Sequence, residues 1–299
     1  MRLRHIEVFQ AIRLTGSVSR AAEILRISQP AASKTLQHME MQLGFSLFER
    51  VKGRLQLTHE AELLGPEVEK VFRELENVRR LARNLRQHPE GLLRLGCVPS
   101  LGLSLLPQAI ALSRARQPGV MIDLQTGHTA GLIASLLARE IDIAIVFNPS
   151  HHPGIRSVSL GESELVCLST DPDTSPLTLD NLTTQSQIRL PQDDPLGGLL
   201  PSLHETELPH ADSAIKVQTY YVACALAQAG CGYAIVDALT AQAMLRPGCF
   251  IRPVRPRIPF KLAALVHESN TLSKLDHNFI ELLQTLGSRL DLPMHSSTE

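Results

Sequence analysis

The chain has 299 residues, of which 43% are hydrophobic and 20% charged, and its formal net charge is −1. This composition is typical of a soluble globular chain with two or three domains. No apolar run of about 18 residues predicts a membrane span, and the N-terminal sequence MRLRHIEVFQ lacks the apolar block of a signal peptide, so we expect a cytoplasmic protein without a membrane partner.

Charge is unevenly distributed along the sequence. Residues 1–60 contain nine Lys and Arg against five Glu, a net charge of +4, which leaves −5 for the remainder. A basic N-terminal part on an acidic body predicts an anionic partner, such as double-stranded DNA, for the N-terminal part alone.

The N-terminal part predicts two short helices joined by a tight turn, preceded by a first apolar helix. The first helix carries Ile6, Val8, Phe9 and Ile12. The second is expected over residues 18–25, with Ser17 and Ser19 as N-cap residues. Its apolar face is supplied by Ala21, Ala22, Ile24 and Leu25.

The third helix is predicted to begin at Ser28, because Ser28 can cap it and Pro30 sits in its first turn, where a missing N–H costs nothing. Four apolar residues then recur at helical spacing and point inward: Ala32, Leu36, Met39 and Leu43. The opposite face carries side chains of the kind that contact base edges or phosphates, namely Gln29, Ser33, Lys34 and Gln37. The alternative is an ordinary amphipathic helix with a solvated outer face.

Gly44 is expected to end the third helix, and a short basic hairpin, LFERVKGRLQLT, follows it. Three basic residues lie on this hairpin around Gly53: Arg50, Lys52 and Arg54. The succession of helix, turn, helix and basic hairpin favours a winged helix-turn-helix DNA-binding module over a solvated helix.

The order GSVSRAAEILRISQPAASKTLQHMEMQLGFSLFER, followed by the basic hairpin and Leu57-Thr58, resembles the N-terminal domain of the LysR-type transcriptional regulators. The resemblance implies that one set of residues faces the major groove: Gln29, Pro30, Ser33, Lys34 and Gln37. It implies that Ser19 and Arg20 contact a phosphate. It also implies that the hairpin residues Arg50, Lys52 and Arg54 contact the flanking minor groove or the backbone.

Two features depart from the common pattern of that family. Gly53 stands where many members carry Arg, and Thr58-His59-Glu60-Ala61 stands in place of Thr-x-Ala-Gly. In both features the chain is similar to the branch that contains the lysine-biosynthesis and opine-catabolism regulators, as is the later sequence QAGCGYAIVDAL from Gln228. That branch implies an amino-acid-derived effector.

A long helix is predicted over residues 60–87, although Gly65-Pro66 favours a kink or a later start. Apolar residues at alternating spacings of four and three form the heptad seam of a coiled coil: Leu64, Val68, Val71, Leu75, Val78, Ala82 and Leu85. The seam predicts a homodimer or homotetramer, because one winged module contacts too few bases for useful specificity. The alternative is that this face packs against its own domain. His88-Pro89-Glu90-Gly91 ends the helix.

Strands and helices alternate from Leu92 onward, and this order predicts a parallel sheet with right-handed crossovers. The layout resembles the family's effector domain, a periplasmic-binding-protein-like pair of α/β lobes joined by crossing segments near residues 160–164 and 266–268. We therefore expect an α+β and α/β multidomain chain. Its predicted parts are a DNA-binding domain (1–59), a dimerising linker helix (60–89) and an effector-binding domain (90–299), whose lobes are residues 90–161 with 267–299, and residues 162–266.

Ligands of open parallel sheets gather at the carboxyl ends of strands, beside helix N-termini. The candidate effector-binding residues are Ser100, Leu101, His128, Thr129 and Phe147 in the first lobe, and Leu196, Gln218, Thr219 and Asp237 in the second. For Ser100, Thr129, Thr219 and Asp237, capping of the adjoining helix is the alternative role, and for His128 it is a surface loop. A carboxylate at Asp237 would suit the ammonium of an amino-acid-like ligand.

The competing function is an α/β metabolic enzyme with an accessory DNA-binding head. The sequence contains none of the patterns G-x-S-x-G, G-x-x-x-x-G-K-[ST] or H-E-x-x-H, and no G-x-G-x-x-G after a strand. The five cysteines include no C-x-x-C pair, and His151-His152 lacks neighbours at metal-ligand spacing. We expect no metal, no cofactor and no catalysis, but a DNA-binding transcriptional regulator controlled by a small-molecule effector. The resemblance adds RNA polymerase as a partner.

Overall fold

The computed structural model describes residues 1–52, 54–173, 175–178, 187–200, 215–269 and 272–288. Contacts between Cα atoms divide the chain into two compact units, residues 1–87 and residues 88–299, which are described one at a time. Within the described residues, no helix combines the length and the apolar character that crossing a membrane requires. The same residues contain no group of three or more His, Cys, Asp or Glu that is placed to hold a metal ion.

The first unit consists of four helices and a two-stranded hairpin. In chain order these elements are α1 (Leu3–Thr15), α2 (Val18–Ile24), α3 (Gln29–Leu43), β1 (Phe48–Val51), β2 (Arg54–Leu57) and α4 (His59–Gln87).

The second unit contains ten strands and five α-helices within the described residues. Its strands are β3 (Leu92–Cys97), β4 (Met121–Thr126), β5 (Ile143–Phe147), β6 (Ile155–Ser169), β7 (Leu177–Thr178), β8 (Gln187–Arg189), β9 (Ile215–Lys216), β10 (Tyr233–Asp237), β11 (Phe250–Arg255) and β12 (Pro259–His267). Its helices are α5 (Leu105–Arg116), α6 (Thr129–Leu137), α7 (Tyr220–Gln228), α8 (Ala238–Met244) and α9 (Lys274–Gly287), with single 3-10 turns at Pro99–Leu103 and Gly197–Leu199.

In the first unit, α2 packs its two alanines inward, and Ala21 and Ala22 are buried. The Ser17 hydroxyl accepts a hydrogen bond from the Arg20 N–H and so caps α2. Two sequence predictions are wrong here. Ser19 lies inside the helix and does not cap it, and Ile24 is 65% exposed because it falls outside the buried face.

Helix α3 begins and ends at the predicted residues. Ser28 accepts from the Ala31 N–H, and Gly44 closes the helix in the left-handed conformation with φ 82°. The Glu40 side chain then fastens the hairpin to the helix, because its Oε1 accepts from the N–H groups of Leu47 at 2.7 Å and Phe48 at 3.3 Å. These two bonds hold the hairpin at a fixed position relative to α3.

Helix α4 begins at His59 and continues through Pro66, so the predicted later start does not occur. Its first turns pack on α1, where Ala61 and Val68 are buried and the Arg13 guanidinium pairs with the Glu69 carboxylate at 2.6 Å. Farther along, three seam residues stay exposed: Val71 at 47%, Val78 at 63% and Leu85 at 67%. The start of the seam therefore packs within its own unit, as the alternative interpretation required, and the rest presents an uncovered apolar stripe.

The main sheet of the second unit has the strand order β4-β3-β5-β12-β6-β10-β8-β9, with β11 beside β6 and β7 beside β11. We call the part built on β3, β4 and β5 the first lobe and the part built on β8, β9 and β10 the second lobe. Pairing within each of these groups is parallel, as predicted. The prediction of a parallel sheet fails at the centre, where β12 runs antiparallel to β5 and β6, and β10 antiparallel to β6.

Strand β6 is longer than the sequence indicated. It has 15 residues, and its first half is largely solvent-exposed and lacks the continuous apolar run by which a buried strand is recognised in a sequence. The second crossing segment, by which the chain returns to the first lobe, also lies elsewhere than predicted. Leu262 of β12 already pairs with Phe147 of β5, so the crossing precedes residue 262 and does not lie at residues 266–268.

Candidate DNA-binding surface and effector cleft

The outer face of α3 presents the predicted polar side chains. Gln29, Pro30, Lys34 and Gln37 are exposed or half-buried, and Ser33 is half-buried. The Gln29 amide donates to the Ser33 hydroxyl at 2.9 Å, which orients its carbonyl and amide groups on the helix surface. Since the inner face is fixed by buried Ala32 and Met39, this row of donors and acceptors faces away from the core.

The first unit also presents exposed cations, one of them within this row. Arg20, Lys34, Arg50 and Lys52 form no ion pair with any residue that the structure describes, and Ser19 is exposed on α2. Unpaired, flexible cations of this kind can neutralise phosphates at little cost, because no existing bond must break first. Gly53 and the side chain of Arg54 lie outside the described residues.

The second unit contains a cavity of about 620 Å³ that both lobes line. Six of the predicted effector residues lie on its wall: Ser100, His128, Thr129, Phe147, Gln218 and Thr219. The other three, Leu101, Leu196 and Asp237, do not line it, and each is at most 1% exposed. A cavity of this size accommodates a small organic molecule.

Two helix N-termini open on the cavity wall without a side-chain cap. His128 precedes α6 and Thr219 precedes α7, and neither side chain hydrogen-bonds to the first turn of its helix. The hydroxyl oxygens of Ser100 and Thr129 are buried and have no hydrogen-bond partner among the described residues. Free helix N–H groups beside unpaired hydroxyls are the usual environment of a bound carboxylate or other anion.

Asp193 and Asp194 also line the cavity, although the sequence analysis did not select them. Oδ1 of Asp194 accepts from the N–H groups of Leu196 at 2.9 Å and Gly197 at 3.1 Å, and from the Tyr220 hydroxyl. Burial raises the pKa of Asp194 above its ordinary value, although the two N–H donors and His128 oppose the shift. The acid pair directly before Pro195 and a glycine turn was the available sequence signal.

Tyr220 is a third residue that the sequence analysis missed. Its ring meets Phe147 edge-on, with 6.1 Å between the ring centroids, while its hydroxyl donates to Asp194. Phe147 belongs to the first lobe and Tyr220 to the second, so this aromatic contact joins the lobes at the cavity wall.

Asp237 performs the alternative role, that of a helix cap. Its Oδ1 accepts from the Thr240 N–H at 2.8 Å at the start of α8, while Oδ2 has no partner among the described residues. Burial raises the pKa of Asp237 to about 6. Because the side chain is fully buried and does not line the cavity, the predicted contact between Asp237 and a ligand ammonium has no geometric basis.

Comparison with known proteins gives the same division of the chain. Residues 3–62 match the bacterial regulatory helix-turn-helix family of lysR type, and residues 86–287 match the LysR substrate binding domain. The regulator DgcR of Pseudoalteromonas is 40% identical over 95% of this chain and 99% of its own length. AdmX of Serratia plymuthica is 34% identical over 95% of this chain and 91% of its own.

The fold is similar to that of a full-length OxyR variant from Pseudomonas aeruginosa, with a TM-score of 0.59 and 20% identity over 95% of this chain and 94% of that one. With two domains of one family in the order that full-length regulators have, the chain belongs to the LysR-type transcriptional regulators, DNA-binding proteins whose activity a small-molecule effector modulates.

Proposed function

We propose that the outer face of α3 reads a specific DNA sequence and that the flanking cations hold the backbone. Gln29, Ser33 and Gln37 contact base edges in the major groove together with Pro30, and Lys34 binds a phosphate there. Ser19 and Arg20 bind a neighbouring phosphate, and Arg50, Lys52 and Arg54 contact the minor groove or its backbone. The observation that carries this proposal is the row of donors and acceptors opposite buried Ala32 and Met39.

The operator is first located by genomic footprinting of the tagged protein, and binding is then measured by fluorescence anisotropy at several salt concentrations. Gln29→Ala should relax specificity at one base pair, at a cost of about 1–3 kcal/mol. Lys34→Ala should weaken binding to all sequences and lower the salt slope by about one. Lys274→Ala, an exposed cation of the second unit, is the matched control and should change neither. Equal affinity of the wild type for every sequence would contradict both roles.

We further propose that the chain functions as a homodimer or homotetramer. The uncovered stripe of Val71, Val78 and Leu85 supports this, since a second copy of α4 would bury it in coiled-coil geometry. Paired heads would read two half-sites of a partly palindromic operator. Effector binding would then shift the population between arrangements of the heads and so change DNA bending and contact with RNA polymerase.

For the effector itself, we propose an amino-acid-derived metabolite whose carboxylate binds beside Ser100 and Thr129. The buried, unpaired Ser100 hydroxyl on the cavity wall supports the carboxylate. Calorimetric titration of the full chain with basic amino acids, their opine conjugates and unrelated metabolites tests it. Binding of another metabolite class, with no heat from the first two, would contradict the amino-acid origin.

A regulator of this kind acts in the cytoplasm, where the bacterial chromosome lies, and we propose that its cleft carries out no reaction. The Ser100 and Thr129 hydroxyls have no hydrogen bond to a base among the described residues, so neither is an activated nucleophile. Incubation of the full chain with any ligand that binds, followed by mass analysis of the ligand, should return it unchanged.

A further inference from the structure

We infer that the effector is a zwitterion whose positively charged nitrogen is held by Asp193, with Asp194 adding negative potential, while its carboxylate lies at the Ser100 side of the cavity. This inference rests on the proposed function, because it assigns the chemistry of the effector that the same cleft binds. It makes Asp193 a specificity-determining residue.

The charges on the cavity wall carry the first part of the argument. Among the described lining residues, Asp193 and Asp194 are the two acids, and none is Lys or Arg. An effector with carboxylates alone would bring like charge toward these acids with no Lys or Arg on the described wall to compensate. A positively charged nitrogen instead gains Coulomb energy in a partly desolvated cavity, where charges are weakly screened.

The two acids differ in what they have available for a ligand. Every hydrogen bond between the Asp194 side chain and a described residue is accepted by Oδ1. These bonds fix the turn at Gly197 and hold the Tyr220 hydroxyl. Asp193 is exposed and forms no ion pair or hydrogen bond with a described residue. Asp194 is therefore a fixed source of negative potential, whereas the Asp193 carboxylate is free to bind a cation directly.

An independent observation places the opposite charge of the ligand. Ser100 is 1% exposed, its hydroxyl has no partner among the described residues, and the residue lines the same cavity. Such a buried hydroxyl is costly unless a ligand completes its hydrogen bonds. Together with the uncapped N-terminus of α6, it suits a carboxylate. The cavity thus presents an anion-binding part and a cation-binding part, and a zwitterion satisfies both.

The test uses the full chain and paired probes that differ only in the amino group. Each amino acid, as both enantiomers, is compared with its des-amino acid: glutamate with glutarate, leucine with 4-methylpentanoate, and phenylalanine with 3-phenylpropanoate. Thermal shift selects binders, and calorimetry measures their affinity. At least one amino acid should bind at least about tenfold more tightly than its des-amino partner, since a hydrogen bond to a charged group contributes that much.

Two variants locate the contact. Asp193→Asn should remove about tenfold or more of the affinity for the amino acid and should not lower that for the des-amino partner, because the variant also removes a like charge. Asp123→Asn, an exposed aspartate on β4 outside the cavity, is the matched control and should bind like the wild type.

The outcomes separate this inference from the proposed function. The zwitterion inference is wrong if an amino acid and its des-amino partner bind equally well, or if Asp193→Asn keeps the wild-type affinity for the amino acid. Either result could occur together with weaker binding of both ligands by Ser100→Ala, which is what the carboxylate proposal requires. The absence of binding by every probe would also overturn it, while operator binding by the same preparation would leave the DNA-reading function standing. If the wild type shows no sequence-specific DNA binding, the proposed function itself is refuted.

Discussion

Replacement of Asp237 by Asn should make the stability of the protein less dependent on pH. Burial raises the pKa of Asp237 from 3.8 to about 6, so the folded chain still holds this proton at pH values where the unfolded chain has released it. The free energy of unfolding therefore falls as the pH rises from about 4 to about 6, and the loss is complete above that range. The difference between these two pKa values corresponds to a change of about 3 kcal/mol in the free energy of unfolding.

Asn is a suitable replacement because it is as good an N-cap as Asp and can still accept from the Thr240 N–H. We expect the difference in unfolding free energy, Asp237→Asn minus wild type, to increase by up to about 3 kcal/mol between about pH 4 and about pH 8. Urea unfolding followed by circular dichroism measures it. A constant difference for Asp237→Asn would refute the reasoning, since it would mean that the buried carboxylate is compensated.

Two further predictions concern packing and assembly. Gly287→Ala should destabilise the second unit by about 1–3 kcal/mol, because its Cβ would clash with the Leu160 carbonyl oxygen. Gly131→Ala in α6 meets nothing within 4 Å and should stabilise the unit by about 1 kcal/mol. Calorimetric melting measures both changes, and equal effects would contradict the contact between Gly287 and Leu160. Val78→Asp should dissociate the oligomer in analytical ultracentrifugation and weaken operator binding, while Arg73→Asp, on the opposite face of the predicted coiled coil, should leave assembly intact. An unchanged mass for Val78→Asp would exclude this seam as the interface.

The helices of the first unit were predictable because the signals that begin and end them are local. Ser28, Pro30 and Gly44 each act within one turn of the chain, and the structure uses all three as the sequence predicted. The burial of Ile24 was mispredicted because apolar character alone does not show which side of a short helix is buried. Helix α2 buries its two alanines and leaves Ile24 exposed.

The middle of the effector unit was less predictable because its structure depends on distant partners. The first half of β6 is a strand by virtue of pairing with β12, about a hundred residues later in the chain, and no local pattern reports that pairing. The same limit applies to the cleft. Parallel strand ends located Ser100 and Thr129, but whether Asp193 or Asp237 faces the cavity depends on the course of the loops and on the packing around α8.

The bonds from Leu47 and Phe48 to Glu40 have a consequence for the operator. Since they tie the hairpin to the C-terminal half of α3, the distance between the groove that α3 is proposed to enter and the backbone that the hairpin is proposed to contact is set within each DNA-binding unit. Each DNA-binding unit therefore spans a constant length of DNA. Differences among the operators of this regulator should then appear in the spacing between half-sites, and the length of each half-site should stay the same.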